Sequence, residues 1–171
     1  MFFKSNYFIQ NLKLNIQNNP KVRVVIQRVK YASVTVEKNV IGKIEKGLLV
    51  LAGFEESDNH EDFEWMVNKI IQLRIFNDKN GVMNVSVQDV EGDLLVVSQF
   101  TLHASTKKGN RPSYIKSSPP DFAKNQYFEF VQTLKNKYIR CVQTGEFGAD
   151  MKVELLNDGP VTICIDSKNK E

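Results

Sequence analysis

Residues 22–54 leave the chain little choice of architecture. Four stretches there, 22–29, 32–37, 40–46 and 47–54, read as strands and follow one another with almost no connector between them. In the second, Ser33 and Thr35 alternate with Val34 and Val36, the period of two that places one face of a sheet on a core. Lys38-Asn39 is short enough for a hairpin turn.

Two helices then break the strands. The first is expected to begin at Asp58, whose carboxylate can accept from free N–H groups, with Glu61 three residues on as in a capping box. Phe63, Met66, Val67, Ile70 and Arg74 keep the helical period and form a core stripe, beside which Trp65 needs no functional role. A turn at Asn80-Gly81 leads to a short strand over 83–87 and a long one over 93–102. Residues 103–117 are too polar for a core element. Ser118-Pro119-Pro120-Asp121 starts the second helix, since Ser can cap and Pro fits the first turn. Ala123, Tyr127, Phe130, Val131, Leu134 and Tyr138 share its face. Strands at 151–156 and 161–166 close the chain. Runs of strands broken by two helices predict an α+β fold, a mostly antiparallel, barrel-like sheet with the helices packed outside.

With 171 residues at 42% hydrophobic content, the chain has material for one core and one domain, expected over residues 22–171. Residues 1–21 carry Lys4, Lys13 and Lys21 and no acid. They lack the arginines and amphipathic face of an organellar presequence and the apolar core of a secretory signal, so a disordered extension is expected. No apolar run reaches the roughly 20 residues that span a bilayer. Cys141 and Cys164 are too distant for a Cys-x-x-Cys motif and read as partly buried thiols in a reducing cytosol. The extension accounts for the whole net charge of +3, leaving a neutral body that argues against a broad phosphate-binding face. One local exception exists. Between Asp93 and Asp121 there is no acid, while Lys107, Lys108, Arg111 and Lys116 all fall there, as a solvated loop or as an electrostatic guide for an RNA end.

Two motifs place polar groups where a strand runs out: Ser98-Gln99-Phe100-Thr101-Leu102, after the apolar run Leu94-Leu95-Val96-Val97, and Asn157-Asp158-Gly159-Pro160-Val161-Thr162. The usual hydrolytic kits are nearly absent. His60 falls in the first turn of a helix among acids and reads as a surface residue; His103 follows the first motif without a recognisable partner. No His-Glu-x-x-His pattern suggests zinc, and there is no Gly-x-Ser-x-Gly elbow.

The two motifs, in this order and about sixty residues apart, resemble the signatures of the D-aminoacyl-tRNA deacylases. The resemblance extends through Val25-Ile26-Gln27-Arg28-Val29, Gly47-Leu48-Leu49-Val50, Gly109-Asn110-Arg111-Pro112-Ser113 and Gly148-Ala149-Asp150-Met151. It implies a compact homodimer in the cytoplasm that hydrolyses the ester of D-aminoacyl-tRNA, and of mischarged glycyl-tRNA, with no metal or organic cofactor. An activated ester of this kind needs chiefly position and a place for negative charge. Backbone N–H groups of Phe100 and Thr101 could provide that place. The Thr101 hydroxyl could orient water or the ester; as a nucleophile it would need a base. By the same resemblance, Ser98, Gln99, Phe100, Phe147 and Met151 line a pocket for the terminal adenosine. A cis Gly159-Pro160 from the partner subunit excludes L side chains, and Arg28 steadies it. Three other readings use the same residues. A sister deacylase of relaxed chirality differs around the first motif. A DNA-unwinding-element-binding role is opposed by the neutral body and by the mere five residues, 167–171, after the last expected strand. A non-catalytic RNA-end binder would use much the same pocket.

Overall fold

The computed structural model describes residues 22–169; the extension expected over residues 1–21 lies outside them. The first two expected strands are one. β1 (Arg23–Val36) runs 14 residues without a break: Lys30-Tyr31 contains neither glycine nor proline, and register shifts on either side of Val29 turn Val29, Ala32 and Val34 to one core while Val24 and Ile26 pack in the other. Its first half pairs antiparallel with β3 (Gly47–Gly53), and its second half with β2 (Asn39–Ile44). The hairpin between β1 and β2 turns at Glu37-Lys38, one residue earlier than expected, and both residues are left-handed (φ 48° and 69°) as a two-residue turn requires.

Along its other edge, β1 pairs with β8 (Lys152–Asp166), which also fuses two expected strands. Gln27 lies opposite Thr162 and Val29 opposite Asn157. Residues 158–161 therefore have only Arg28 across from them and must arch out of the ladder. β6 (Asp93–Ser98) joins β3 in parallel, and β7 (Val142–Thr144), which the sequence did not suggest, joins β6 in parallel. Each parallel pair spans a crossover carrying a helix. All the remaining pairs are antiparallel, including the two-stranded ribbon of β4 (Phe76–Asn77) and β5 (Met83–Val85). The main sheet runs β2-β1-β3-β6-β7 with β8 on β1, and it curls until β2 meets β7: a Cβ at Gly42 would stand 2.7 Å from the Thr144 carbonyl oxygen. The result is a nearly closed, barrel-like sheet with two helices outside.

That curl explains the unbroken apolar run in β6. Leu94 and Val96 face the helices, in the larger core with Ile26, Leu48, Val50, Phe63 and Phe130; Leu95 and Val97 face the inside of the curl with Val29, Val34, Ile44 and Leu49. The helix α1 (His60–Gln72) begins one residue later than expected. Asn59, not Asp58, is the cap, and Asp62 completes the box; Asp58 instead accepts the Glu55 N–H. Phe63, Met66, Val67 and Ile70 are buried as expected, but Arg74 lies beyond the helix end and donates to Asn84. Trp65 packs against the core, with the Lys69 ammonium over its ring.

α2 (Pro120–Lys137) has Pro119 as its cap, and the Ser118 hydroxyl, expected to cap, is buried without a partner. The φ of Pro119 (−52°) places Pro120 to start the helix without a side-chain acceptor. Tyr127 anchors α2 by donating to the Val96 carbonyl at 2.9 Å, and burial raises its pKa. Tyr138 donates to the Gly92 carbonyl at 2.6 Å, and burial pushes its pKa up to about 12. Cys141 and Cys164 are both exposed, not partly buried, since each sits on an outer position of an edge strand or its approach. Among the described residues, no helix is long and apolar enough to cross a membrane.

Candidate active site

β6 ends at Ser98, so the strand expected through residue 102 stops four residues short. Gln99 leaves the β region (φ −144°, ψ 81°), and Phe100–His103 wind into a single 3-10 turn. Packing against Gly53 forces the change. A Cβ on Gly53 would stand 2.7 Å from the Gln99 carbonyl oxygen and 3.1 Å from His103 Cδ2, so only glycine lets the turn settle on β3. The Gln99 N–H pairs with the Ala52 carbonyl, the Leu102 N–H with that of Gln99, and the Ala104 N–H with that of Thr101. The N–H groups of Phe100 and Thr101 stand ahead of the first bond of the turn, where a helical turn leaves donors free.

Ser98, Gln99 and Phe100 line a recess of about 820 Å³, and Phe147 and Met151 line the same recess from the segment between β7 and β8. Five of the residues singled out from sequence thus meet in one place. Its far rim comes from the loop before α2. Tyr114 stands edge-on to the Phe100 ring at 5.1 Å, Ile115 is 92% exposed, and the Ser117 hydroxyl donates to the Phe100 carbonyl at 3.0 Å. These loop residues escaped the sequence reading. Two adjacent apolar side chains, Tyr114 and Ile115, inside an otherwise polar segment were the signal available. Phe147 also packs on Tyr127 at 5.8 Å, so it is both wall and core.

Thr101 is not among the lining residues. Its hydroxyl accepts from Gln99 Nε2 at 2.5 Å, and among the described residues no carboxylate or imidazole hydrogen-bonds to it. His103 is fully buried under the turn, where the sequence suggested an incidental loop position. Nδ1 is 3.4 Å from Glu55, and the ring also meets the backbone of Gly53. Burial lowers the pKa of the imidazole, opposed first by a hydrogen bond with the Gly53 backbone and then by Glu55. His60 is exposed, as expected, between Glu64 and Glu129.

Gly159 and Pro160 are exposed and do not line the recess of their own chain. The bond between them is cis, and Gly159 takes φ +133°. Arg28, buried beneath, donates from Nε to the Asp158 carbonyl at 2.9 Å and through a terminal nitrogen to the Ile75 carbonyl at 2.5 Å. Asp158 carboxylate oxygens lie 3.5 Å from Arg28 and 3.3 Å from Lys30. A Cβ on Gly159 would meet the Arg28 guanidinium at 2.7 Å. The arch is therefore held from inside by a side chain that leaves no space for any other residue at Gly159.

Comparison with known proteins identifies the family. The family model described as D-Tyr-tRNA(Tyr) deacylase matches residues 25–166. A protein of Flavobacterium johnsoniae named D-aminoacyl-tRNA deacylase is 64% identical over 150 residues, covering 88% of this chain and 100% of that protein. One of the same name from Bacteroides fragilis is 60% identical, also over 88% of this chain and 100% of its own length. A solved structure titled c-Myc DNA Unwinding Element Binding Protein superposes with a TM-score of 0.80 at 41% identity, covering 84% of this chain and 97% of that one. With the family matched over most of its length, this chain belongs to the D-Tyr-tRNA(Tyr) deacylases, the D-aminoacyl-tRNA deacylase family.

Proposed function

We propose that the protein hydrolyses the ester of D-aminoacyl-tRNA in the cytoplasm, releasing free D-amino acid and tRNA, and that glycyl-tRNA is also a substrate. The observation that carries this reading is the recess itself. Motif residues from β6 and residues before β8 converge on a partly apolar pocket, and the Phe100 and Thr101 N–H groups precede the first hydrogen bond of the turn at its edge. The terminal adenosine sits between Phe100, Phe147 and Met151, with Ser98 and Gln99 as polar contacts. The ester carbonyl then faces the N–H groups of Phe100 and Thr101.

Water adds to the carbonyl carbon, and the oxyanion that forms is held by those two donors. As the intermediate collapses, the bond to the ribose oxygen breaks. That oxygen leaves with a proton from the attacking water, passed through the neighbouring ribose hydroxyl. No side-chain base is needed for an ester already prone to hydrolysis, and none stands beside Thr101.

Chirality is read by main chain. In a homodimer, the Gly159-Pro160 arch of one subunit enters the recess of the other. Its carbonyls hold the amino group and leave no space for an L side chain. An exposed arch that does not reach its own pocket, yet is braced from below by Arg28, supports this arrangement. Glycine, lacking a side chain, passes the same filter.

The test uses two variants. Phe100→Pro deletes one N–H at a position where a helical turn accepts proline, with Phe100→Ala as the control that keeps it. Gly159→Ala displaces the arch. Loss of an oxyanion donor costs about 100-fold to 1000-fold in kcat. Each pure variant should be inactive on D-tyrosyl-tRNA, while co-expressed Phe100→Pro and Gly159→Ala subunits should regain activity, because mixed dimers contain one intact site. Absence of recovery in verified mixed dimers contradicts a shared site.

A further inference from the structure

A second, smaller recess of about 330 Å³ opens on the other side of the 3-10 turn. Arg23, Glu55, His103, Lys107 and Lys116 line it, together with the small residues Ala104, Ser105 and Thr106. Its charges are unequally committed. Arg23 holds Asp166 at 2.8 Å and donates to the Leu102 carbonyl at 2.7 Å, and Glu55 is flanked by His103 at 3.4 Å and Lys168 at 3.7 Å. Lys107 and Lys116 have no carboxylate partner among the described residues, although both are on a loop that contains no acid. Two exposed ammonium groups therefore face a polar hollow whose other charges are already matched.

The loop that carries them is held in shape. Ser105 and Ser113 exchange backbone hydrogen bonds at 2.8 and 2.9 Å, which brings the stretches before Lys107 and before Lys116 together. Lys116 faces the small recess, while the next residue, Ser117, lines the larger one and bonds the Phe100 carbonyl. The same turn and the same loop thus form one wall of each recess. A strand with its last base in the larger recess has the smaller recess beside it, across this wall.

Resting on the deacylase reading, we propose that the small recess seats a backbone phosphate of the single-stranded RNA end, held by Lys107 and Lys116. Phosphate contacts fix register and carry no sequence information, so this seat would serve every tRNA alike. It also gives a use to a positive loop on a body of balanced charge. The lysines would raise the local concentration of the acceptor end and set the distance between the phosphate chain and the ester.

The experiment compares wild type with the double variant Lys107→Ala/Lys116→Ala on two substrates, D-tyrosyl-tRNA and 3′-O-D-tyrosyladenosine, which has the ester and the adenosine but no phosphate. On the tRNA, the variant should raise KM about tenfold, with kcat changed less than about twofold. The fall of log(kcat/KM) with log salt should become shallower by about 0.7 to 1.4, the range for one or two phosphate contacts on a single strand. On the adenosine ester the two proteins should differ less than about twofold. An unchanged KM and salt slope on tRNA overturns the phosphate seat, and so does an equal loss on both substrates. If wild type itself cleaves neither ester, the deacylase reading fails instead; binding of uncharged tRNA, followed against salt in both proteins, then still decides whether the lysines hold phosphate.

Discussion

Thr101 is the residue whose role the two motifs leave most open, and its surroundings narrow that role. Its hydroxyl is occupied by the Gln99 amide, and no base is near. Thr101→Ala should therefore lower single-turnover cleavage of D-tyrosyl-tRNA by about tenfold or less, the cost of a loosened Gln99. Complete loss with normal tRNA binding would make Thr101 a nucleophile. His103 shows what a sequence hides. It reads as a loop histidine, but the glycine at position 53 lets the turn close down on β3 and seals the imidazole inside. Burial lowers its pKa, opposed by a hydrogen bond with the Gly53 backbone and by Glu55 and Asp166, with Arg23 adding to the shift. Above the ordinary histidine value near ~6.5, both folded and unfolded chains carry it neutral. Below that pH the unfolded chain takes up a proton that the folded one resists, so stability falls as the medium is acidified. Urea midpoints at pH 7.5 and 5.5 should differ more for wild type than for His103→Gln; equal differences would remove His103 from the account.

At the scale of elements, hydrophobic period located both helices and nearly every strand, while boundaries moved wherever a cap or a close approach decided them. Asp58 and Asn59 both offer a capping oxygen one residue apart. Asn59 takes the cap because Asp62 can return the bond from three residues on, while Asp58 closes the preceding turn onto Glu55. Asn59→Ala should cost about 1 kcal/mol in urea unfolding; a change near zero would show that the cap is not used. The fused strands β1 and β8 were not legible as single elements: β1 changes which core it packs against between Ile26 and Val29, which breaks its period, and in β8 a Gly-Pro step inside a strand reads as its end. Here the sheet tolerates it by arching residues 158–161 outward over Arg28. β7, with three half-buried residues, is too short to leave a period of its own.

For the whole molecule, the sequence conveyed the fold class and the motif residues that meet in the larger recess, because those are set by strand ends. Period and composition did not convey the separation of the two motifs, which only the family resemblance implied. The Gly159-Pro160 arch and the pocket lie apart on one chain, and a second copy is what would bring them together. The loop wall of Tyr114, Ile115 and Ser117 was equally hidden, since its place depends on the turn after β6. The central claim is a chiral ester hydrolase that works through backbone groups. It is tested most directly by single-turnover release of amino acid from matched D-tyrosyl-tRNA and L-tyrosyl-tRNA in EDTA, with protein lacking residues 1–21. The account predicts rapid loss of the D ester alone. Cleavage of both esters would contradict the main-chain filter, and survival of both with the RNA bound would make the protein a binder of RNA ends.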